Sequence, residues 1–202
     1  MLKLPIWEHD HMKFQPFFLR LIARFKSANN GTSAVEFALI FPVLLIVYFG
    51  LIEISSGLEA KRKVENTANL TGMLVAQATT VNDAYINNVF EASQMAFEPL
   101  NAAPLRVVVS SVVRVFEDGN WVNKVDWSES YGSGASARAV DSVFDPPPNI
   151  LGDNRGIIVT EVEYTYARIL TTNTFSSYFP NTITFTKTYW AHPRYVVSIP
   201  FE

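Results

Sequence analysis

The segment from Phe37 to Ile52 reads FALIFPVLLIVYFGLI, sixteen residues without a charge. Widened to Ala34–Ile54, it spans 21 residues, with Glu36 and Glu53 near its ends. At about 1.5 Å per residue, a helix of this length measures about 31 Å, which is the thickness of a bilayer's hydrocarbon core. Because the run has no polar face, the sequence predicts a membrane-spanning helix rather than the core helix of a soluble domain.

Charged residues on the two sides of this run predict its orientation. The N-terminal flank carries five basic and two acidic residues, a charge of +3, whereas three basic residues at positions 61 to 63 follow the run. The larger number of basic residues favours an N-terminus in the cytoplasm and a C-terminal region in the periplasm, with the span in the inner membrane. The five basic residues are Lys3, Lys13, Arg20, Arg24 and Lys26.

A removable secretory signal is the alternative to a permanent span. Ser55-Ser56-Gly57 follows the run and offers small residues of the kind that signal peptidases accept. The apolar run is, however, longer than the core of about 7–15 residues that is usual in signal peptides, and it starts more than thirty residues into the chain. A permanent membrane anchor is therefore the favoured interpretation.

Composition narrows the class of protein further. Of 202 residues, 49% are hydrophobic and 17% are charged, which excludes a disordered chain. The net charge of −3 leaves no basic excess to neutralise phosphates, so we expect no nucleic-acid partner. Cysteine is absent, which excludes disulfides, thiolate metal sites and cysteine nucleophiles. A mean hydropathy of +0.13 fits one membrane span joined to a soluble domain.

Candidate catalytic groups are few. His9 and His11 could offer two ligands to a metal ion, which is too few for a site, and His192 stands alone as a surface or hydrogen-bonded residue. Glu161 and Glu163 lie two residues apart on a predicted strand and so share a face, where we interpret them as the solvated side of a sheet. No nucleophile elbow or phosphate-binding glycine loop occurs. We therefore predict no enzymatic activity, no metal and no cofactor.

The segment just before the apolar run carries the most specific signal. Ser33 and Glu36 form an S-x-x-E pattern typical of a capping box, which would start a helix after a loop at Gly31. The same residues also read as G-x-x-x-x-E-F, a glycine followed five residues later by glutamate and then by the aromatic Phe37. Directly before a single span and after a basic leader, this pattern is typical of the cleavage site of prepilins. The two interpretations are compatible.

On these residues the chain resembles the TadE-like family of tight-adherence (Flp) pilus assembly proteins, which are minor pilins or pseudopilins with one N-terminal helix. The strong resemblance covers residues 31–76, and weaker similarity extends to 125–128, 158–166 and 192–195. TadE-type and TadG-type proteins overlap, although the short C-terminal region argues against a large TadG-like protein. The matching positions are Gly31, Glu36-Phe37-Ala38, Pro42, Gly50 and Glu53.

The resemblance implies a role in assembly. A prepilin peptidase would cleave after Gly31 and make Thr32 the new N-terminus, whose ammonium group on a neighbouring subunit could pair with Glu36 in the bilayer. Pro42, Gly50 and Glu53 would contribute to helix packing. The implied partners are other pilin-like subunits, the pilus assembly machinery, the peptidase and the lipid bilayer, and the protein would stay in the inner membrane or enter a surface fibre. The alternative is an uncleaved, membrane-anchored periplasmic scaffold or binding module unrelated to pili.

The remaining pattern predicts an α+β fold of three parts. A basic cytoplasmic leader occupies residues 1–31, a transmembrane and stalk helix residues 32–77, and an extracytoplasmic α+β domain residues 78–202. Within this domain we expect a second helix from Asn82 or Asp83 to Phe97, followed by about four antiparallel strands on which the stalk helix packs, as in the pilin plan.

Alternating apolar residues place the strands. Leu105 to Phe116 and Trp121–Trp127 form a hairpin around Asp118-Gly119, and strands at Gly156–Ala167 and Thr182–Ala191 follow. In the last strand, threonines alternate with inward Ile183, Phe185 and Tyr189. Residues 128–155 are predicted to be a long loop, either plain surface irregularity or a contact for a partner.

Overall fold

The computed structural model describes residues 31–168 and 181–202, so the predicted leader, His9, His11 and residues 169–180 lie outside the described residues. The described ranges contain two helices, which we name α1 and α2, and four strands, named β1 to β4. Their bounds are Gly31–Ala76 for α1, Asp83–Phe97 for α2, Leu105–Glu117 for β1, Asn120–Tyr131 for β2, Gly156–Ala167 for β3 and Thr182–Ala191 for β4. The predicted α+β class, with one long apolar helix and a small antiparallel sheet, is confirmed.

The chain divides into two compact units, residues 1–50 and 51–202. Of the first unit, the structure describes residues 31–50, which are the N-terminal part of α1. The second unit contains the rest of α1 together with α2 and the sheet.

The four strands form one antiparallel sheet in the order β2-β1-β3-β4. The hairpin turns at Asp118 and Gly119, both with positive φ, as its sequence predicted. A register shift between Ser111 and Val112 marks a bulge in the β1–β2 pairing, whereas no shift interrupts the β3–β4 pairing. The bounds of β3 and β4 are those predicted, while β2 runs four residues beyond its predicted end at Trp127.

Residues 60–76 of α1 pack on the sheet through small side chains. Ala60 and Ala68 are fully buried beside Val64 and Val75, so the helix approaches the strands closely. The approach is close at Gly72, where an added Cβ would lie 2.5 Å from Tyr189 Cδ1 and 3.0 Å from Thr160 Oγ1. The predicted packing of a small-residue helix face against the domain is confirmed.

Polar contacts fix α2 beside α1. The side chain of Asn82 caps α2 by accepting a hydrogen bond from the backbone N–H of Tyr85 at 2.9 Å. Ser93 Oγ donates to the Val89 carbonyl at 2.7 Å and lies 2.6 Å from Thr71 Oγ1 on α1. Since both hydroxyls are buried, this pairing satisfies groups that would otherwise cost free energy on folding.

The other face of the sheet is covered by residues 132–155. Leu151, Ile150 and Phe144 from this segment pack against a second apolar cluster on the strands. The strand residues of that cluster are Val112, Val125, Ile157, Val159 and Trp190. The segment is therefore a cover for a second small core as well as a connection between β2 and β3.

Candidate functional site

The predicted processing segment lies on α1, in the part described as the first unit. Gly31, Thr32, Glu36 and Phe37 are all helical and exposed. Because residues 31–34 are already helical, Ser33 lies inside the helix, and the predicted capping box with Gly31 in a loop is wrong. Glu36 lies five positions after Gly31, so their Cα atoms lie about 7.5 Å apart along the helix axis.

The surface of this part of α1 is almost entirely apolar. Residues 31–49 are exposed all round, with Phe37 at 60% and Leu39 at 72% exposure. In the described part of the chain, α1 is the one helix that is long and apolar enough to cross a membrane. In water such a surface would be strongly unfavourable, whereas lipid or neighbouring apolar helices would cover it at no such cost.

Glu36 is the carboxylate on this apolar surface. It is exposed and follows the first turn of the described helix, one residue before Phe37, whose ring packs on that of Phe41 with centroids 5.5 Å apart. A carboxylate at membrane depth is costly unless a cation or hydrogen-bond donors neutralise it. Chemically, the position can serve as the acceptor of a positive charge from another chain.

The three residues predicted to contribute to helix packing fall in different units of the structure. The helix continues through Pro42, and Pro42 and Gly50 both lie in the first unit. Glu53, in the second unit, is half-buried near Tyr166 of β3. Burial raises the pKa of the Tyr166 hydroxyl, and the Glu53 carboxylate raises it further. Tyr166 is thus kept protonated as a potential donor beside the acid.

Glu161 and Glu163 lie on the covered side of the sheet and are each paired with an arginine. Arg138 Nη2 lies 2.6 Å from Glu161 Oε2, and Arg106 Nη1 lies 2.8 Å from Glu163 Oε1. The side chains of Glu161 and Glu163 are 34% and 39% exposed, so this face of the sheet is solvated in part, and both carboxylates are paired. They line a cleft of about 420 Å³ beside Thr186 and Thr188, in which both carboxylates are neutralised.

The sequence did not indicate Arg106, Arg138 or Tyr166 as residues of interest. Arg106 alternates with apolar neighbours on β1, and this alternation indicates that Arg106 points away from the apolar face. It does not indicate that Arg106 pairs with Glu163. Arg138 comes from the segment over the sheet, and its pairing depends on how that segment folds back. Among residues 31–168 and 181–202, no group of three or more acidic or histidine side chains could hold a metal ion.

Comparison with known proteins agrees with the prediction made from the first residues of α1. No curated protein and no solved structure matches the chain. A family model described as TadE-like protein matches residues 31–73, which include the predicted processing residues and the apolar part of α1. The resemblance predicted from Gly31, Glu36 and the apolar run is thereby confirmed, and residues 31–73 form a TadE-like segment.

Proposed function

We propose that the protein is a pseudopilin-like component that assists assembly of a tight-adherence pilus or a related secretion system. It would be anchored in the inner membrane by residues 34–54 of α1, with its N-terminus in the cytoplasm and residues 78–202 in the periplasm. The observation that carries the proposal is the Gly31–Glu36 pattern at the head of an exposed, apolar helix inside a TadE-like segment. The proposal assigns no chemical step to the chain itself.

Cleavage after Gly31 is the first part of the proposal. A separate prepilin peptidase would cut the Gly31–Thr32 peptide bond and discard the basic leader. Since residues 1–31 carry +3 of a net charge of −3, the mature chain would carry −6. The new ammonium group of Thr32 would then lie at the end of an apolar helix, available to the Glu36 carboxylate of a neighbouring subunit.

N-terminal sequencing tests the cleavage. Protein extracted from membranes of a host that has the peptidase should begin at Thr32, and Gly31→Leu should leave it full-length. Gly57→Ala is the matched control, because it changes a glycine of the same helix outside the pattern and should leave the mature start at Thr32. Full-length wild-type protein in that host would refute the processing claim.

Charge pairing at Glu36 is the second part. Glu36→Gln should reduce pilus assembly in cells while the protein remains inserted in the membrane, because the amide keeps the shape and removes the charge. Glu59→Gln, an exposed acid further along α1, serves as the control and should leave assembly intact. Equal assembly by both variants would contradict a role for Glu36.

One observation favours a second candidate, an uncleaved anchored scaffold of the periplasm. Gly31 and Thr32 are helical, and proteases bind their substrates as extended backbone, so this part of the helix would have to unwind before cleavage. In that case the wild-type protein should keep its leader in every host, and Glu36→Gln should change only the stability of the helix.

A further inference from the structure

Strand β4 forms one edge of the described sheet, and its pairing shows which of its backbone groups point away from β3. The Arg168 N–H donates to the Asn181 carbonyl at 3.1 Å, and the β3–β4 register continues from there without a shift. In an antiparallel ladder, hydrogen-bonded residues alternate with residues whose N–H and C=O point away from the partner. Phe185 and Lys187 therefore bond to β3, whereas Thr184, Thr186 and Thr188 direct their backbone groups towards the outer edge.

The opposite edge of the sheet is covered along part of β2. Residues 141–144 run along β2, and the Asp141 N–H donates to the Val125 carbonyl at 2.8 Å. The Val125 N–H donates to the Ser142 carbonyl and the Phe144 N–H to the Asn123 carbonyl, each at 3.0 Å. Within the described residues no segment pairs in this way with the outer edge of β4, so the partial cover seen on β2 has no counterpart there.

Strand β4 has one feature by which proteins protect an open edge, a lysine, and lacks others. It has no proline and no bulge, and its sequence TITFTKTYWA is rich in β-branched and aromatic residues. Lys187 is its single charged residue, and in the described part of the chain it forms no ion pair. A regular edge of unpaired amides and carbonyls is a template that another extended backbone satisfies.

A second copy of the chain does not fit this edge through symmetric antiparallel pairing of two β4 strands. Tyr166 lies beside Glu53 and Thr160 lies beside Gly72, so residues 53–72 of α1 run antiparallel to β3 and parallel to β4. A symmetric antiparallel pairing of two β4 strands would reverse the direction of the second α1. Two copies anchored in one membrane through these helices cannot adopt opposite directions, a step that rests on the proposed membrane anchor.

We propose that the outer edge of β4 is a docking site for an extended segment of a different protein, which adds to the sheet as a fifth strand. The partner strand bonds to the backbone of Thr184, Thr186 and Thr188. It places small or β-branched side chains beside these threonines, and an acidic side chain on the other face neutralises Lys187. Affinity comes from the backbone, and specificity from these side chains.

Hydrogen exchange of the isolated full-length protein in detergent micelles tests the open edge. The amides of Thr184, Thr186 and Thr188 should exchange at least about tenfold faster than those of Phe185, Lys187 and Tyr189, because only the latter donate to β3. Equal protection of both sets would mean that the edge is already covered and would overturn the proposal. This result does not depend on whether the protein is anchored, which membrane fractionation measures separately.

Single-cysteine crosslinking in host membranes tests the partner, since the chain has no cysteine of its own. Thr188→Cys labelled with a benzophenone maleimide should form an adduct with a different protein, on a segment that carries an acidic residue. A synthetic peptide of the crosslinked segment should then protect the amides of Thr184 and Thr186. A homodimer adduct, or a peptide that leaves these amides unprotected, would overturn the proposal.

A proline at position 186 tests the outer edge of β4 without changing the pairing of β4 with β3. Thr186→Pro in the Thr188→Cys background removes one outward N–H and should reduce the adduct at least about tenfold without breaking a β3–β4 bond. Thr186→Val keeps the amide and is the matched control, which should crosslink as the parent does. Equal loss in both variants would assign the contact to the hydroxyl and contradict a strand addition. Unchanged crosslinking in Thr186→Pro, with β4 shown by hydrogen exchange to be intact, would contradict it as well.

Discussion

Gly72 of α1 lies so close to the ring of Tyr189 on β4 that a Cβ at this position would come within 2.5 Å of Tyr189 Cδ1. Thr160 Oγ1 lies 3.0 Å from the same point. The backbone of α1 therefore rests directly on two side chains of the sheet, and the spacing of α1 over β3 and β4 depends on a residue without a Cβ.

Replacing Gly72 by alanine should destabilise the domain. The methyl group can enter only if Tyr189 or α1 moves, and overpacking of this kind costs about 1–3 kcal/mol, more than the gain of up to about 1 kcal/mol in helix propensity. The measurement is the free energy of unfolding from urea titration of the purified protein.

Gly57→Ala is the matched control on the same helix. A Cβ there meets nothing within 4 Å, so alanine should stabilise the protein by about 0.5–1 kcal/mol through helix propensity alone. If both substitutions stabilised the protein equally, the close approach at Gly72 would be wrong.

The strands and the packed helix face were predictable because their signals are local. Strand β3 shows a regular alternation from Gly156 to Ala167, and alternating threonines define β4, so their bounds follow from periodicity. The end of β2 was missed because Ser128, Glu129 and Ser130 look like loop residues. Their pairing with β1 makes them a strand, and Ser128 Oγ lies 2.8 Å from the buried Ser110 Oγ.

The parts of the site that depend on contacts between residues far apart in sequence could not be predicted. The Gly31–Glu36 pattern is contiguous and could be recognised from sequence alone, as could the span that follows it. The proximity of Glu53 to Tyr166 joins residues more than a hundred positions apart, and the cover of Leu151 over Ile157 depends on how residues 132–155 fold back. Neither arrangement has a periodic signal, since each arises from the strand order and the path of a connection.

The C-terminal tail is held by Trp127, and this contact predicts a second variant. Trp127 Nε1 donates to the Ile199 carbonyl at 2.7 Å in a buried setting, and its ring lies 5.6 Å from that of Phe201. Trp127→Phe removes the donor and leaves a buried carbonyl without its partner. We expect a loss of about 1–3 kcal/mol in the free energy of unfolding.

Trp121→Phe provides the control for that experiment. Trp121 is 37% exposed near the hairpin turn and packs on Phe116, so its replacement should cost less than about 1 kcal/mol. Limited proteolysis adds a second readout, because loosening of the tail in Trp127→Phe should expose the chain end to carboxypeptidase. Equal resistance of both variants to carboxypeptidase would contradict a role for Trp127 in holding the C-terminal tail.

The ion pair between Arg138 and Glu161 predicts a modest coupling. Both side chains are 34% exposed, so solvent screens much of their attraction. In a double-mutant cycle with Arg138→Met and Glu161→Gln, the coupling energy should be about 1 kcal/mol or less. Arg138 also lies over the Phe144 ring at 4.5 Å, so Arg138→Met alone should cost more than Glu161→Gln alone. The reverse order would contradict a contribution from the ring contact.

Glu129 on β2 predicts how stability depends on pH. Burial raises the pKa of this carboxyl above its ordinary value of 4.5, and the negative charge of Asp83 raises it further. The folded protein therefore holds a proton on Glu129 at pH values where the unfolded chain has released it. As pH rises from the ordinary value through the folded pKa, this group removes stability, and below that window it has no effect.

Glu129→Gln should therefore raise the free energy of unfolding at neutral pH and leave it unchanged in acid, because glutamine has no charge to bury. Urea titrations of both proteins across this window measure the difference, which should grow with pH and then level off. Glu91→Gln, at an exposed position of α2, is the matched control and should shift stability by a similar small amount at every pH. Parallel curves for wild type and Glu129→Gln would mean that the raised pKa of Glu129 makes no contribution to the pH dependence of folding.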